Sequence, residues 1–370
     1  MRVLVVNAGS SSLKLRLLDV ANGVERSADL AAGADGIDGD GLRDTLAAWP
    51  APDAVGHRVV HGGTHFTGPV HIDASVRAEL DALTDLAPLH QPKSLAALDA
   101  VAALLPDVPA VACFDTAFHT TIPAEASTYA IPLEWRRRYA IRRYGFHGLS
   151  HAYASRRAAQ LLEQPRAGLR VVSCHLGAGA SLCAVLAGRS VDTTMGFTPL
   201  EGLVMATRSG TVDPGLVLWL EEHEHLLPHE IATTLEHRSG LTALAGTGDM
   251  REIEAMVDRH DERAQLALDV YVHSLAAGIA AMTTSTGGLD ALVFTGGVGE
   301  NSDLVHRMTA QRLAFLGVAI ASPDAGHGGR QQDDDRDISA AGASVRTFVV
   351  RAREDVQIAD EVRSVSVPSI

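Results

Sequence analysis

Val3 to Val6 form a short run of branched and bulky residues. Beyond the small-residue segment Ala8 to Ser12, Leu13, Leu15 and Leu17 alternate with Lys14, Arg16 and Leu18. Successive side chains of an extended strand point to opposite faces, so this pattern predicts a β-hairpin closed by a Gly/Ser turn. The arrangement recurs at Val171 to Cys174, the turn around Gly177 and Gly179, and Ser181 to Leu186. Two such units far apart in the chain predict a duplicated domain plan, although their residue identity is slight. A third unit, ALVFTGG at 291–297, enters a glycine loop from a strand and leads to the amphipathic stretch Leu304 to Phe315.

The intervening segments carry helical spacing. Ser75 to Leu86 and Ser94 to Leu105 place apolar residues three and four apart, with Asp73 and Ser94 as candidate caps. Asp213 and Pro214 predict another helix start, since Asp accepts orphan amides and Pro suits the first turn. Ala264 to Met282 is long, apolar on most faces and free of Pro, which predicts a helix buried between layers. Between 321 and 339 the periodicity stops, and its short acidic run reads as a solvated loop rather than a metal site. A strand is expected at Val345 to Val350, followed by a short helix and a loose tail. Strands alternating with helices favour an α/β fold over an all-β sandwich.

The chain has 370 residues, enough for roughly two domains on a prior of about 150 residues each, with one large domain still open. Its 46% hydrophobic and 21% charged residues, with 34 Gly and 15 Pro, exclude wholesale disorder. The net charge of −14 makes nucleic acid a poor partner while leaving local sites for small anions. Cys113, Cys174 and Cys183 are too few for a disulfide framework and sit in apolar runs, which fits reduced core thiols and a cytoplasmic location. MRVLVVNAG turns polar after a few residues and no stretch of about eighteen apolar residues follows, so neither export nor a membrane partner is expected.

Six segments carry candidate chemistry. NAGSSSLK offers Asn7, Ser10, Ser12, Lys14 and closely spaced amides, which suits phosphoryl oxygens as well as a plain tight hairpin. It is neither the common nucleotide P-loop nor a dinucleotide fingerprint. In GHRVVHGG, 56–63, strand geometry would put Arg58 and Val60 on one face. An arginine beside an apolar wall suits a small carboxylate with a short tail, or an internal carboxylate of the protein. His57, His61 and His65 lack the spacing of a helical zinc site. Asp115 follows an apolar strand, where it could ligate Mg²⁺ or cap a helix. RRYGFHGLSH carries Phe146, His147 and His151, and a lone histidine there is as readily a packed residue as a catalyst. Arg208 lies in a polar turn before Asp213 and could neutralise a phosphoryl group. FTGGVGENS, 294–302, joins glycines to a helix start, which suits a nucleotide or a simple helix entry. Together these segments make the inventory of a phosphoryl-transfer site.

The same motifs, with DTAFH and the MGFTPLEGLVMATRSGTVDP run, occur in order over nearly the whole chain and closely resemble those of the short-chain carboxylate (acetate, propionate, butyrate) kinase family. The resemblance implies duplicated actin-like, ribonuclease-H-like domains with an interdomain active-site cleft. It implies reversible γ-phosphoryl transfer from ATP to acetate, giving ADP and acetyl phosphate, with Mg²⁺ or Mn²⁺, in a homodimer. The domains are expected at 1–119, with 356–370 returning to the first, and at 120–355. By the same resemblance, Arg58, Asp115, His147 and Arg208 are catalytic, and Arg58, Val60, Leu89, Phe146 and Pro199 bind the acyl substrate. Ser10, Ser12, Lys14, His175, Gly177, Gly179, Asp249, Arg251, Gly296, Gly297 and Gly299 hold the nucleotide, and the phosphate-contacting Asn7 joins Glu354 at the metal.

The chain departs from the family pattern at Ala178 in the second glycine turn, at Arg353 and Asp355 around Glu354, and at Gln91, Lys93 and Ser94 in LHQPKSL. Other readings are a propionate or butyrate kinase, a pyrophosphate-dependent acetate kinase, and an actin-like binding protein without catalysis.

Overall fold

The structure, a computed structural model, describes residues 1–9, 12–33, 36–87, 91–322 and 335–366. Ser10, Leu89 and most of the aperiodic stretch after 321 lie outside these residues. The chain divides into two units: Met1–Thr120 with Phe146–Tyr153 and Arg353–Ile370, and Thr121–Gly145 with Ala154–Ala352. Residues 146–153 and 353–355, expected in the second domain, therefore group with the first. Leu149 packs into the core of that unit, and the Gly148 amide donates to the Asp115 carbonyl at 2.8 Å.

The first unit begins with β1 (Val3–Ala8), β2 (Ser12–Leu18), β3 (Val24–Gly33), β4 (Gly36–Ile37) and α1 (Gly39–Ala48). It continues with β5 (Ala54–Val59), β6 (Val70–His71), α2 (Ala74–Ala82), α3 (Gln91–Leu104) and β7 (Ala110–Phe114). The predicted hairpin is β1–β2, with Asn7 opposite Lys14. The strands form one sheet in the order β4-β3-β2-β1-β5-β7-β6. β3, β2 and β1 pair antiparallel, β5 and β7 run parallel to β1, and β6 closes the edge antiparallel. Asp73 caps α2 by accepting from the Val76 amide. Ser94 caps nothing: α3 starts three residues earlier, with Pro92 in its first turn, and Ser94 is buried within it.

The second unit contains α4 (Ala124–Ser127), α5 (Leu133–Arg138) and the later part of α6 (Gly148–Leu161). Then come β8 (Arg170–Leu176), β9 (Ala180–Leu186), β10 (Arg189–Thr193), α7 (Pro214–His223), α8 (Pro228–His237), α9 (Gly240–Ala245) and α10 (Met250–Asp258). α11 (Glu262–Thr286), β11 (Ala291–Thr295), α12 (Gly296–Asn301), α13 (Asp303–Arg312), β12 (Arg336–Asp337) and β13 (Arg346–Val349) complete it. Its sheet order is β10-β9-β8-β11-β13-β12. The plan of the first sheet repeats: an antiparallel triplet, two strands parallel to β8, and an antiparallel edge strand. β8–β9 thus corresponds to β1–β2, and β11 corresponds to β5. Both central parallel strands run into paired glycines, Gly62–Gly63 and Gly296–Gly297. The aperiodic stretch is not loop throughout, because β12 occupies its end and pairs with β13.

By length and composition α11 could cross a membrane. Here it packs on β8, β9 and β10, burying Leu268, Val272, Leu275 and Ile279. Asp261 caps its start and Gly287, at φ 69°, ends it. The last helix, α14 (Glu354–Ser366), returns to the first sheet, where Ile358, Ala359 and Val362 pack with Val3, Val5 and Val111. The opposite face of that sheet is covered by Leu42 of α1 and Ala97 and Val101 of α3. All three cysteines are buried, and none forms a disulfide among the described residues.

Candidate active site

In the first unit the sheet brings together residues remote in sequence. Parallel pairing of β1 with β5 and of β5 with β7 sets Asn7, Arg58 and Asp115 side by side near the strand ends. Arg58 donates from Nε to Asp115 Oδ1 at 3.1 Å and from Nη2 to Oδ2 at 2.5 Å. Its Nη1 donates to Asn7 Oδ1 at 3.1 Å. The Asn7 Nδ2 donates in turn to Glu354 Oε2 at 3.3 Å, and that oxygen lies 3.8 Å from Arg58 Nε. Asp115 is 2% exposed at its side chain and Arg58 18%. Burial disfavours the Arg58 charge, but Asp115 and Glu354 outweigh it and raise the pKa above the ordinary arginine value. A guanidinium has five N–H groups, and three of those of Arg58 are used among the described residues, which leaves two for an incoming anion.

Glu354 opens α14, where a carboxylate suits the helix N-terminus. Its neighbours Arg353 and Asp355 pair with each other, Nε to Oδ1 at 2.9 Å. His147 precedes α6 in the left-handed region at φ 56° and accepts at its carbonyl from the His151 amide. A Cβ on the adjoining Gly148 would lie 2.2 Å from the Asp115 carbonyl oxygen, so only glycine permits this joint between the His147 turn and Asp115. Val60 and Phe146 are 6% and 2% exposed. Ser12 and Lys14 begin β2, with Lys14 exposed.

A second set forms in the second unit. Arg208 is half-buried, and its Nη1 donates to the Pro199 carbonyl at 3.3 Å. Among the described residues no carboxylate forms an ion pair with it. Burial lowers its pKa, with partial opposition from Glu236. The β8–β9 turn lies beside it, since the Ala206 amide donates to the Ala178 carbonyl at 3.1 Å and Gly177 closes onto Gly179 at 2.9 Å. His175 is the penultimate residue of β8, opposite Ser181 and Thr295. Gly296, at φ 81°, packs against Leu176, and Gly299 packs on the same residue. A Cβ on the exposed Gly297 would meet nothing within 4 Å among the described residues, and its carbonyl accepts from Asn301 Nδ2 at 2.8 Å. Asp249 caps α10 and pairs with Arg251, Nη2 to Oδ2 at 2.6 Å. That pairing pushes the Asp249 carboxyl down to about 2.

Sequence reasoning missed three supporting residues. Gln91 holds the His61 backbone, Thr116 Oγ1 accepts from the Gly62 amide, and Glu300 accepts from the Gly296 and Ala352 amides. Only Gln91 had a signal, as a departure from a motif. For Mg²⁺, Asn7, Asp115 and Glu354 provide the hard oxygen donors that suit this ion, which is usually held by one or two carboxylates plus phosphates and water. No group of three or more His, Cys, Asp or Glu capable of holding a metal occurs among the described residues.

The repeated sheet plan defines duplicated actin-like α/β domains, each with its own polar set at the strand ends. The Acetokinase family matches residues 51–360, and the chain belongs to that family. It is 45% identical to the acetate kinase of Streptomyces coelicolor over 97% of this chain and 96% of that protein. The crystal structure of Porphyromonas gingivalis acetate kinase superposes with a TM-score of 0.89 at 34% identity, covering 99% of this chain and 100% of that one. A propionate kinase from Francisella tularensis gives 0.88 at 35% identity, covering 97% and 98%.

Proposed function

We propose that this protein catalyses reversible transfer of the ATP γ-phosphoryl group to acetate, forming acetyl phosphate and ADP. The observation that carries the reading is Arg208, a half-buried guanidinium without a carboxylate partner among the described residues, and so a cation suited to a substrate anion. Acetate is ionised near neutrality, so its oxygen attacks phosphorus directly and no strong general base is required. Catalysis then rests on in-line alignment and charge neutralisation.

Arg58 orients the acetate carboxylate with its two remaining N–H groups, while Val60, Leu89, Phe146 and Pro199 enclose the methyl. Arg208 and His147 stabilise the equatorial phosphoryl oxygens. Ser10, Ser12, Lys14, His175 and the glycines at 177, 179, 296, 297 and 299 hold the donor phosphates, with Asp249 and Arg251 toward the nucleoside. Asn7, Asp115 and Glu354 would hold Mg²⁺ directly or through water, and the ion would supply positive charge to the phosphates. Asp115 also holds Arg58 in orientation.

We place the enzyme in the cytoplasm, where its three buried thiols stay reduced. It acts as a homodimer. α7 has no buried residue, and its Leu216, Leu218 and Trp219 are 46%, 58% and 47% exposed. Elsewhere on the chain α5 exposes Trp135 beside Arg136–Arg138, and acidic Glu221, Glu222 and Glu224 follow Trp219. Exposed apolar residues next to charge of one sign on one helix and of the other sign on another suit a copy of the same chain.

The test is an activity matrix with Mg²⁺: ATP, GTP and pyrophosphate against acetate, propionate and butyrate, in both directions. The expected optimum is ATP with acetate. The likeness to the F. tularensis propionate kinase makes propionate the second candidate. Preference for butyrate, or absence of acyl phosphate from every pair, overturns the reading.

A further inference from the structure

Val60 leaves β5 between two anchors. Behind it, the Asp115 amide donates to the Val59 carbonyl at 3.1 Å. Ahead of it, the carboxamide of Gln91 grips His61 at two points, accepting from its amide at 3.4 Å and donating to its carbonyl at 3.3 Å. The same Nε2 also donates to the Leu80 carbonyl at the end of α2, at 3.2 Å. Gln91 is 0% exposed. In a dry interior such an amide holds its partners firmly, because releasing them leaves buried polar groups unpaired.

The grip extends to the second wall residue. The His61 ring stands edge-on to Phe146, with centroids 5.6 Å apart and planes at 72°. The strap beyond is fixed by Thr116 Oγ1 on the Gly62 amide at 3.0 Å and by His61 Nδ1 on the Gly63 amide at 2.9 Å. One buried amide therefore holds the backbone ahead of Val60, from which the ring beside Phe146 extends.

We infer that Gln91 is a positioning residue that sets the closeness of the acyl wall and hence the preference for acetate over longer acids. This rests on the reading of Val60 and Phe146 as that wall. Glutamine reaches from the first turn of α3 to both His61 and Leu80. Asparagine keeps the amide but is one methylene shorter, and gives up one of the two attachments.

The experiment compares wild type, Gln91→Asn and Gln91→Met with acetate, propionate and butyrate, and follows amide exchange at 61–63 in the ligand-free protein. For Gln91→Asn, the acetate KM rises, kcat and the ATP KM stay within about twofold, and the propionate-to-acetate ratio of kcat/KM rises at least about threefold. Exchange at 61–63 quickens in the same variant. A folded Gln91→Asn with unchanged acetate KM and unchanged ratio overturns the inference. So does an equal loss of kcat with all three acids, which marks a role in stability alone. If Gln91→Met fails to fold, Gln91→Asn decides. Wild type making no acyl phosphate overturns the functional reading and this inference together, whereas an active wild type with insensitive variants overturns this inference alone.

Discussion

Arg58 and Asp115 meet edge to edge, Nε to Oδ1 at 3.1 Å and Nη2 to Oδ2 at 2.5 Å, although they are 57 positions apart. Removing one member of a buried pair leaves the other charge uncompensated, at a cost of about 3–5 kcal/mol. Asp115→Asn is therefore expected to lower stability by about 3 kcal/mol and to raise the acetate KM as Arg58 loses its orientation. Urea unfolding beside acetate saturation curves checks both, and an unshifted urea midpoint removes the structural half of the claim.

Arg208 should behave in the opposite way. Its guanidinium lacks a carboxylate partner among the described residues, so truncation relieves a desolvated charge rather than stranding one. Arg208→Ala is expected to lower kcat by about 100-fold or more while leaving the melting temperature equal or higher. A cooperative loss of stability in this variant, measured by calorimetry, would show that the charge is structurally paired.

Gly240 supports the Arg208 turn. It sits at φ 62°, and a Cβ there would fall 2.2 Å from the Met205 carbonyl oxygen and 2.6 Å from that of Arg208. Gly240→Ala must displace that backbone, so kcat should drop although the residue carries no functional group. Retention of full kcat would separate the turn from catalysis.

Acid should destabilise the first unit through its histidines. Burial pushes His57, His61 and His119 from 6.5 down to about 4, with Asp99 partly opposing it at His57. As pH falls below 6.5 the unfolded chain takes up protons that the native imidazoles refuse until about 4. Their stabilising contribution is full above pH 6.5 and declines toward pH 4, by up to ~1.4 kcal/mol per pH unit for each imidazole. Among the described residues, neither ring nitrogen of His57 has a hydrogen-bond partner. His57→Leu should therefore flatten the acid limb of a stability-versus-pH curve, and an unchanged slope would assign it to other groups.

The exposed apolar residues of α7 give a test of the proposed homodimer. Wild type is expected to show twice the chain mass by light scattering at micromolar concentration, and Leu218→Glu half of that. A wild type of single-chain mass overturns the homodimer, and a dimeric Leu218→Glu moves the proposed contact away from α7.

Much of the framework could be read locally. Both hairpins follow from alternating apolar residues, and Asp73, Asp213 and the long α11 follow from capping and helical spacing. Ser94 misled because a hydroxyl before a periodic run resembles a cap, yet burial inside the sheet-facing helix decided its role. The edge strands β6 and β12 have only two residues each, too few to show a period.

What the sequence alone determined is the set of small turns, strand ends and helix starts that bring polar groups to the tips of two similar sheets, together with the family motifs. Which group meets which was decided by the tertiary structure. Asn7 reaches Glu354 across 347 positions, Gln91 grips His61, and Arg58 finds Asp115, whereas Arg208 meets the Pro199 carbonyl and the Met205 sulfur and, among the described residues, no carboxylate. The physical reason is range: spacing and caps act within a few residues, whereas the charge state and freedom of an arginine depend on neighbours supplied by strand order and burial.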